Sequence, residues 1–402
     1  MTPQEFNSLQ QENVIEFFKK HRTDDPKSVA LKFSGKSDLP IRAITEQIHC
    51  YQKAKKKLPT LSKHALIYDS VAIEQCSSDA TASYKSSLLK GNLLVDLTGG
   101  LGIDVVYFSQ NFERIIHCER NEMLSSIAEY NFKQLGIKRI QTHVGDSIEL
   151  LGDAEDGSID WIYLDPARRD VNKRFASLEE CAPNVVEIQE LLLKKSKNIC
   201  VKISPGADFT SVKRSIKCIK EFIVVSVNNE CKEILLILER DYSDQIEVKS
   251  VMINSRNGKI EVIQKKEKSY YQKSQSSQIY QYFYEPDLAI IKARLSAKLA
   301  HTLGIAFINM NVDYMTSKKF VENFPGRHFE VLEVVPYGRK TLKTFFQINN
   351  ITKANVARRD FPDSPEFIKK IFKLKDGGED YLFFTTNYDG KFICIHCKRV
   401  RS

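Results

Sequence analysis

LLVDLTGGLGIDVV, residues 93–106, is the stretch whose reading decides the fold. An apolar run ends at Asp96, a turn with glycine at 99, 100 and 102 follows, and a second apolar run opens near Asp104. Glycines let the backbone turn tightly and approach a ligand closely. A strand, a glycine-rich turn and a helix N-terminus in that order point into the crevice at the strand ends, where open α/β sheets take ligands. The dinucleotide fingerprint is excluded. G-x-G-x-x-G counted from Gly100 requires glycine where Val105 stands.

The chain repeats that rhythm downstream. RIIHCER (114–120), THVGDSIEL (142–150), WIYLDPARRD (161–170) and NICVKIS (198–204) are short Val- and Ile-rich runs separated by helical stretches. That alternation predicts a parallel α/β sheet over residues 91–240. FIVVSV (222–227) and EILLILE (233–239) are separated only by NNECK. So short a link holds no crossover helix, so the last pair is expected to be antiparallel. Each of the first four strands ends on an acid: Asp96, Glu119, Asp146, Asp165. Glu119 stands 23 residues after Asp96, where a carboxylate accepts from both ribose hydroxyls. Four acids at successive strand ends behind a glycine turn predict one cofactor site.

The rest of the chain frames this core. Residues 1–90 read as helical: Thr2 caps the first helix with Pro3 and Glu5 behind it. PIRAITEQIHCYQKAKKKL (40–58) puts Ile41, Ile44, Ile48 and Tyr51 on one stripe before Pro59 stops it. The start lacks a signal-peptide core and no run is long enough to span a bilayer, so a cytoplasmic protein is expected. Nine cysteines lack framework spacing. Cys394 and Cys397 form a single C-x-x-C on a strand-like run that points them to opposite faces, so no metal site is expected. The net charge of +9 is uneven, with 20 Lys and Arg against 12 Asp and Glu from Pro286 onward. A basic C-terminal third suits a polyanionic partner such as RNA. VKSVMINSRNGKIEVIQ (248–264) reads as a hairpin turning at Asn257-Gly258. HFEVLEVVPY (328–337), SPEFIKKIFKLK (364–375), DYLFFTT (380–386) and KFICIHCKRV (391–400) give strand, helix and two strands.

Asp96, Gly100 and Gly102 resemble motif I of class I methyltransferases, D-x-x-x-G-x-G. EQCSSDATASYK (74–85), DLTGGLGID (96–104), YLDPARRD (163–170), KISPGAD (202–208) and ARRDFPDS (357–364) resemble a bacterial family of such methyltransferases with a THUMP-like C-terminal domain. The resemblance implies a Rossmann-like class I methyltransferase sheet, parallel with an antiparallel last strand. It also implies a helical N-terminal region (1–90) ahead of a methyltransferase domain (91–240). Two small α+β pieces would follow, a hairpin with a ferredoxin-like domain (245–325) and a THUMP-like domain (326–402). S-adenosylmethionine is the implied cofactor. Asp96, Thr98, Gly99, Gly100, Gly102 and Asp104 would meet it at the glycine turn. Glu119 with Arg120, Asp146 with Ser147, and Asp165 would meet it at the later strand ends, Asp146 at the adenine amino group. THUMP domains bind RNA in RNA-modifying enzymes, so RNA is the implied substrate.

Methyl transfer leaves the protein to place the acceptor and manage its proton. Families that methylate exocyclic amines carry (D/N)-P-P-(Y/F/W) after strand four. Here Asp165 and Pro166 match, and Ala167 and Arg168 do not. Arg168 and Arg169 suit a phosphate clamp or a stacking role instead. The alternative is a ribose 2′-O-methyltransferase resembling the Lys-Asp-Lys-Glu type, with Asp165, Lys202 and Glu233 in place and no clear match for the first lysine. There Lys202 would lower the acceptor's pKa, or serve as base if its own pKa were depressed. A non-catalytic RNA-binding protein on the same fold is the third reading. Glu74, Gln75, Ser77 and Ser78 are expected near the cleft mouth, with Ser77 or Ser78 as a helix cap.

Overall fold

The computed structural model describes residues 1–168 and 178–400. Two compact units make up the chain: Met1–Phe222 with Glu233–Ile246, and Ile223–Lys232 with Glu247–Ser402.

The first unit carries the expected sheet. Its strands are β1 (Gly91–Asp96), β2 (Phe112–Glu119), β3 (Ile140–Val144), β4 (Ile159–Leu164), β5 (Ser196–Ile203), β6 (Ile219–Val227) and β7 (Glu230–Glu239). Their spatial order is β6-β7-β5-β4-β1-β2-β3. β3, β2, β1, β4 and β5 are mutually parallel, and β7 runs antiparallel to β5. The parallel strands are nearly continuous apolar runs because helices cover both faces. β6 and β7 extend into NNECK and leave Asn228 and Asn229 as the link, with φ of 52° and 66°. Two successive positive φ values are the geometry of a tight hairpin turn, which asparagine tolerates. The hairpin root belongs to the first unit and its tip to the second.

The N-terminal region is helical: α1 (Pro3–Leu9), α2 (Glu12–His21), α3 (Pro26–Phe33), α4 (Ile41–Lys57), α5 (Ala72–Gln75) and α6 (Asp79–Leu88). Thr2 and Glu5 form the expected reciprocal capping box. Ile41, Ile44, Ile48 and Tyr51 are buried along α4. This region has no core of its own. Its apolar residues form one cluster with Leu101, Ile103 and Ile127. Those three come from the glycine turn, from α7 (Ile103–Phe108) and from α8 (Glu122–Gln134). The helical region therefore buries its face on the same elements that shape the cleft.

The second unit opens with the expected hairpin, β8 (Glu247–Ile253) against β9 (Ile260–Lys266), turning at Gly258 with φ +71°. A seven-stranded sheet follows, built from β10 (Tyr282–Pro286), β11 (Ala306–Phe307), β12 (Met315–Ser317), β13 (Gly326–Pro336), β14 (Lys353–Arg358), β15 (Lys375–Thr386) and β16 (Phe392–Arg399). Its order is β11-β12-β10-β13-β16-β15-β14. The strands of 282–317 and those of 326–399 thus share one sheet, joined through β10 and β13. Beta14, KANVAR, is a strand the sequence pattern does not announce. It pairs parallel to β15, whose ladder and core supply the order that its short run of small and polar residues does not. Cys394 and Cys397 are buried on β16 in two separate core clusters, as strand alternation requires.

Candidate active site

The glycine turn, the ends of β1 to β4 and the start of α10 (Val185–Lys195) enclose a cavity of about 550 Å³. That size lies within the range of ligand pockets, ~300–1,000 Å³. The three glycines fill three different needs. Gly99 passes over the His117 ring, and a Cβ there would stand 2.4 Å from its Nε2. Gly102 caps α7 with φ +70°, and its Cβ would meet Phe132 Cζ at 2.4 Å. Gly100 has φ +54° and open space where a Cβ would be. Its N–H donates to Glu119 Oε2 at 2.8 Å, while Oε1 accepts from the Asn121 N–H at 2.7 Å. The second strand-end acid is thus locked onto the first strand's turn.

Asp96 is buried at the end of β1 and accepts from the Thr98 N–H at 3.0 Å. The Thr98 hydroxyl accepts from the Asp165 N–H at 2.6 Å, so one threonine ties the ends of β1 and β4 together. Burial pushes the Asp96 carboxyl up to about 8, against the Thr98 N–H, and the charges of Asp104, Asp165 and Glu119 add to the rise. Asp146 caps α9 (Ser147–Asp153), with Oδ1 accepting from the Ile148 N–H at 2.7 Å. Asp146, Ser147 and the exposed Arg120 line the cavity with Glu119. The site residues expected from the glycine turn and the first three strand ends are therefore gathered at one cleft.

The fourth strand end differs in kind. Asp165 lines the cavity, and its carboxylate is paired with the Lys202 ammonium from β5. Burial alone would lower the Lys202 pKa. Asp165, Asp104 and Glu233 outweigh it and hold the ammonium above its usual range. A general base needs the opposite shift, so the condition set for Lys202 as a base is not met; its ammonium is a buried cation held against Asp165. Pro166 is half-buried, the Arg168 backbone forms a two-residue ladder with Cys181, and the Arg168 side chain and Arg169 lie outside the described residues.

Beneath this pair lies a group that only folding assembles. Lys85, fully buried on α6, places its ammonium 3.0 Å from Asp104 Oδ1 and 3.2 Å from Glu233 Oε2. It also donates to the Ser77 hydroxyl at 2.6 Å. Ser77 and Tyr163 both donate to Asp104 Oδ2, at 2.9 and 2.7 Å. Burial works against Asp104 ionising, but the Lys85 and Lys202 charges and the Tyr163 hydroxyl hold it below the usual carboxylate range. Glu233 moves the other way: burial raises it more than the two lysines lower it. Ser78, not Ser77, caps α6 through Thr81. Glu74 is exposed and paired with Lys53, while Gln75 and Ser77 line the cavity. Sequence reasoning passed over Lys85, Tyr163, His117 and the Asn184–Glu187 wall. Lys85 and Tyr163 stand at the ends of two quoted motifs and His117 lies inside a third, but no local pattern sets them apart.

An open α/β sheet of this strand order, with its cleft at the glycine turn, is the class I methyltransferase fold. Residues 326–399 match the THUMP domain-like family. A candidate methyltransferase from Porphyromonas gingivalis W83 superposes with TM-score 0.83 at 27% identity, over 99% of each chain. M. capricolum TrmK, solved with S-adenosyl-homocysteine, is a partial match: TM-score 0.33 and 16% identity, over 41% of this chain and 70% of that one. A search of the curated proteins finds no match to the chain.

Proposed function

We propose that this protein is an S-adenosylmethionine-dependent methyltransferase that acts on RNA. The observation that carries the reading is the single cleft where the turn glycines meet Asp96, Glu119, Asp146 and Asp165. The residues present fit the cofactor. Glu119, held by Gly100 and Asn121, keeps acceptor capacity for ribose hydroxyls. The open space at Gly100 admits close backbone approach. Asp96 offers a buried carboxyl that a cationic group beside it would draw toward its ionised form, and Asp146 and Ser147 stand at the third strand end. When bound, S-adenosylmethionine supplies an electrophilic methyl group. Asp165 lines the same cavity, where an acceptor would enter, and Lys202 stands behind it in ion-pair contact with its carboxylate. The pair orients an acceptor by hydrogen bonds, and Lys202 stabilises negative charge that develops there. RNA as substrate is supported by the THUMP-like match and by the basic surplus after Pro286.

Isothermal titration with S-adenosylmethionine tests the cofactor, and transfer of labelled methyl to bulk RNA tests the substrate. A folded protein that binds no cofactor would be the non-catalytic RNA-binding reading. Binding with transfer only to a protein or small molecule would remove RNA.

A second reading, methylation of a ribose 2′-hydroxyl, has one observation in its favour. Lys85 joins Glu233 beneath the Asp165–Lys202 pair, which supplies the lysine the sequence pattern lacked. Alkali-resistant dinucleotides in the methylated RNA would select this reading. Their absence beside a methylated base selects the base amine or ring nitrogen.

A further inference from the structure

EQCSSDATASYK is the motif that the cofactor and acceptor assignments leave without a task, and it ends in a lysine with no exposed surface. We propose that Ser77 and Lys85 are positioning residues of the cofactor cleft, acting through Asp104 on the glycine turn. The proposal rests on the methyltransferase reading and assigns to that site two residues outside the sheet.

Asp104 is the meeting point. It lies in the first turn of α7, two residues after Gly102, whose left-handed conformation starts that helix. Three groups from three elements converge on its carboxylate: Ser77 from the segment before α6, Lys85 from α6, and Tyr163 from β4. Lys85 reaches on to Glu233 on β7, so a fourth element joins. Asp104 Oδ2 accepts from Ser77 and Tyr163 and Oδ1 faces the Lys85 ammonium, so the carboxylate anchors the start of α7. Two residues before Gly102, Gly100 delivers its N–H to Glu119 beside open space. A displacement of Asp104 therefore passes along four residues to the backbone that faces the cofactor.

Local sequence explains how α6 supplies both groups. Ser78 and Thr81 close a capping box, which fixes where the helix begins and leaves Ser77 just outside it. Lys85 follows two turns later and so returns to the same side. A buried ammonium is tolerable only when counter-charges and hydrogen bonds surround it. Asp104, Glu233 and the Ser77 oxygen provide them.

The test uses the full chain and isothermal titration with S-adenosylmethionine. Ser77→Ala removes the donor to Asp104 and the acceptor for Lys85, and leaves every ion pair in place. It is expected to raise the cofactor Kd roughly tenfold, the scale of one hydrogen bond to a charged group. Ser77→Thr restores the hydroxyl and is expected to return Kd to within about threefold of wild type. Tyr163→Phe, which removes the other donor to the same oxygen, should weaken binding in the same direction. Lys85→Met combined with Glu233→Gln removes that pair together and leaves the buried Asp104 with Ser77, Tyr163 and the Lys202 charge as its support, so its melting point is measured alongside. Its folded form should bind cofactor more weakly than wild type. Thermal midpoints run alongside separate folding from positioning. A Ser77→Ala protein that melts lower but keeps wild-type Kd would overturn the proposal, as would a threonine variant no better than alanine. Wild type that binds no S-adenosylmethionine sinks the methyltransferase reading and this proposal with it. Wild type that binds, beside a Ser77→Ala protein that binds equally well, sinks the proposal alone.

Discussion

Replacing Gly102 with alanine tests the physical account of the turn. Gly102 has φ +70°, and an added Cβ would stand 2.4 Å from Phe132 Cζ and 3.3 Å from His117 Nε2. The left-handed conformation costs a non-glycine residue about 1–2 kcal/mol. Pushing a methyl group into a filled core adds about 1–3 kcal/mol. Gly102→Ala should therefore destabilise the first unit by roughly 2–5 kcal/mol. Gly100→Ala is the control. Its φ is +54° with nothing within 4 Å of the new Cβ, so only the conformational cost of about 1–2 kcal/mol applies. For cofactor binding the order reverses, because the Gly100 methyl would occupy the open face of the turn. The assay is urea unfolding followed by Trp161, the chain's single tryptophan, which lies on β4 in the same sheet. Adding Phe132→Leu to Gly102→Ala makes room for the new methyl. The double variant should be more stable than the two separate losses imply, by about 1 kcal/mol or more. Equal destabilisation by the two glycine variants, or simple additivity with Phe132→Leu, would refute the reasoning.

Three further outcomes are expected. Asp165→Ala should abolish methyl transfer while keeping most cofactor affinity, and Asp96→Ala or Glu119→Ala should weaken the cofactor first. Titration calorimetry beside a transfer assay separates these, and equal loss of affinity in all three would show the division of roles to be wrong. Asp96 carries a pH signature. Its folded value, about 8, lies above the ordinary 3.8, so the folded chain keeps a proton that the unfolded chain releases. Its contribution to stability is fully present below pH 3.8 and lost as pH rises through about 8. Asp96→Asn mimics the protonated form, so its melting temperature should gain on wild type steadily across that window; a constant gap contradicts the burial argument. Lys340, Lys343 and Lys370 are exposed on α11 (Arg339–Ile348) and α12 (Pro365–Phe372). Reversing all three charges should weaken RNA binding and flatten its salt dependence, leaving cofactor affinity alone. A filter-binding series at several salt concentrations reads this, and an unchanged slope removes these lysines from the interface.

The sequence by itself determined the frame of this protein. Residues 91–240 alternate between Val- and Ile-rich runs and helical stretches, and that periodicity is local, so sheet, hairpin and capping boxes are legible from it. Gly100 and Gly102 were legible too, because positive φ values next to a strand end admit few other residues. The acids at 96, 119, 146 and 165 announced the cleft because each sits at a fixed place in a repeated unit. Only the tertiary structure decided what those acids do. Asp165 meets Lys202, 37 residues away, and Lys85 meets Glu233, 148 residues away. No periodicity encodes such separations. The direction of each pKa shift follows from burial and from charges brought in by other elements, which is why the Lys202 ammonium is held above its usual range. Beta14 escaped the pattern for the same reason, since its partner β15 rather than its own residues makes it a strand. The sequence thus marked the residues that line the cleft, and the fold alone arranged the buried charges beneath it.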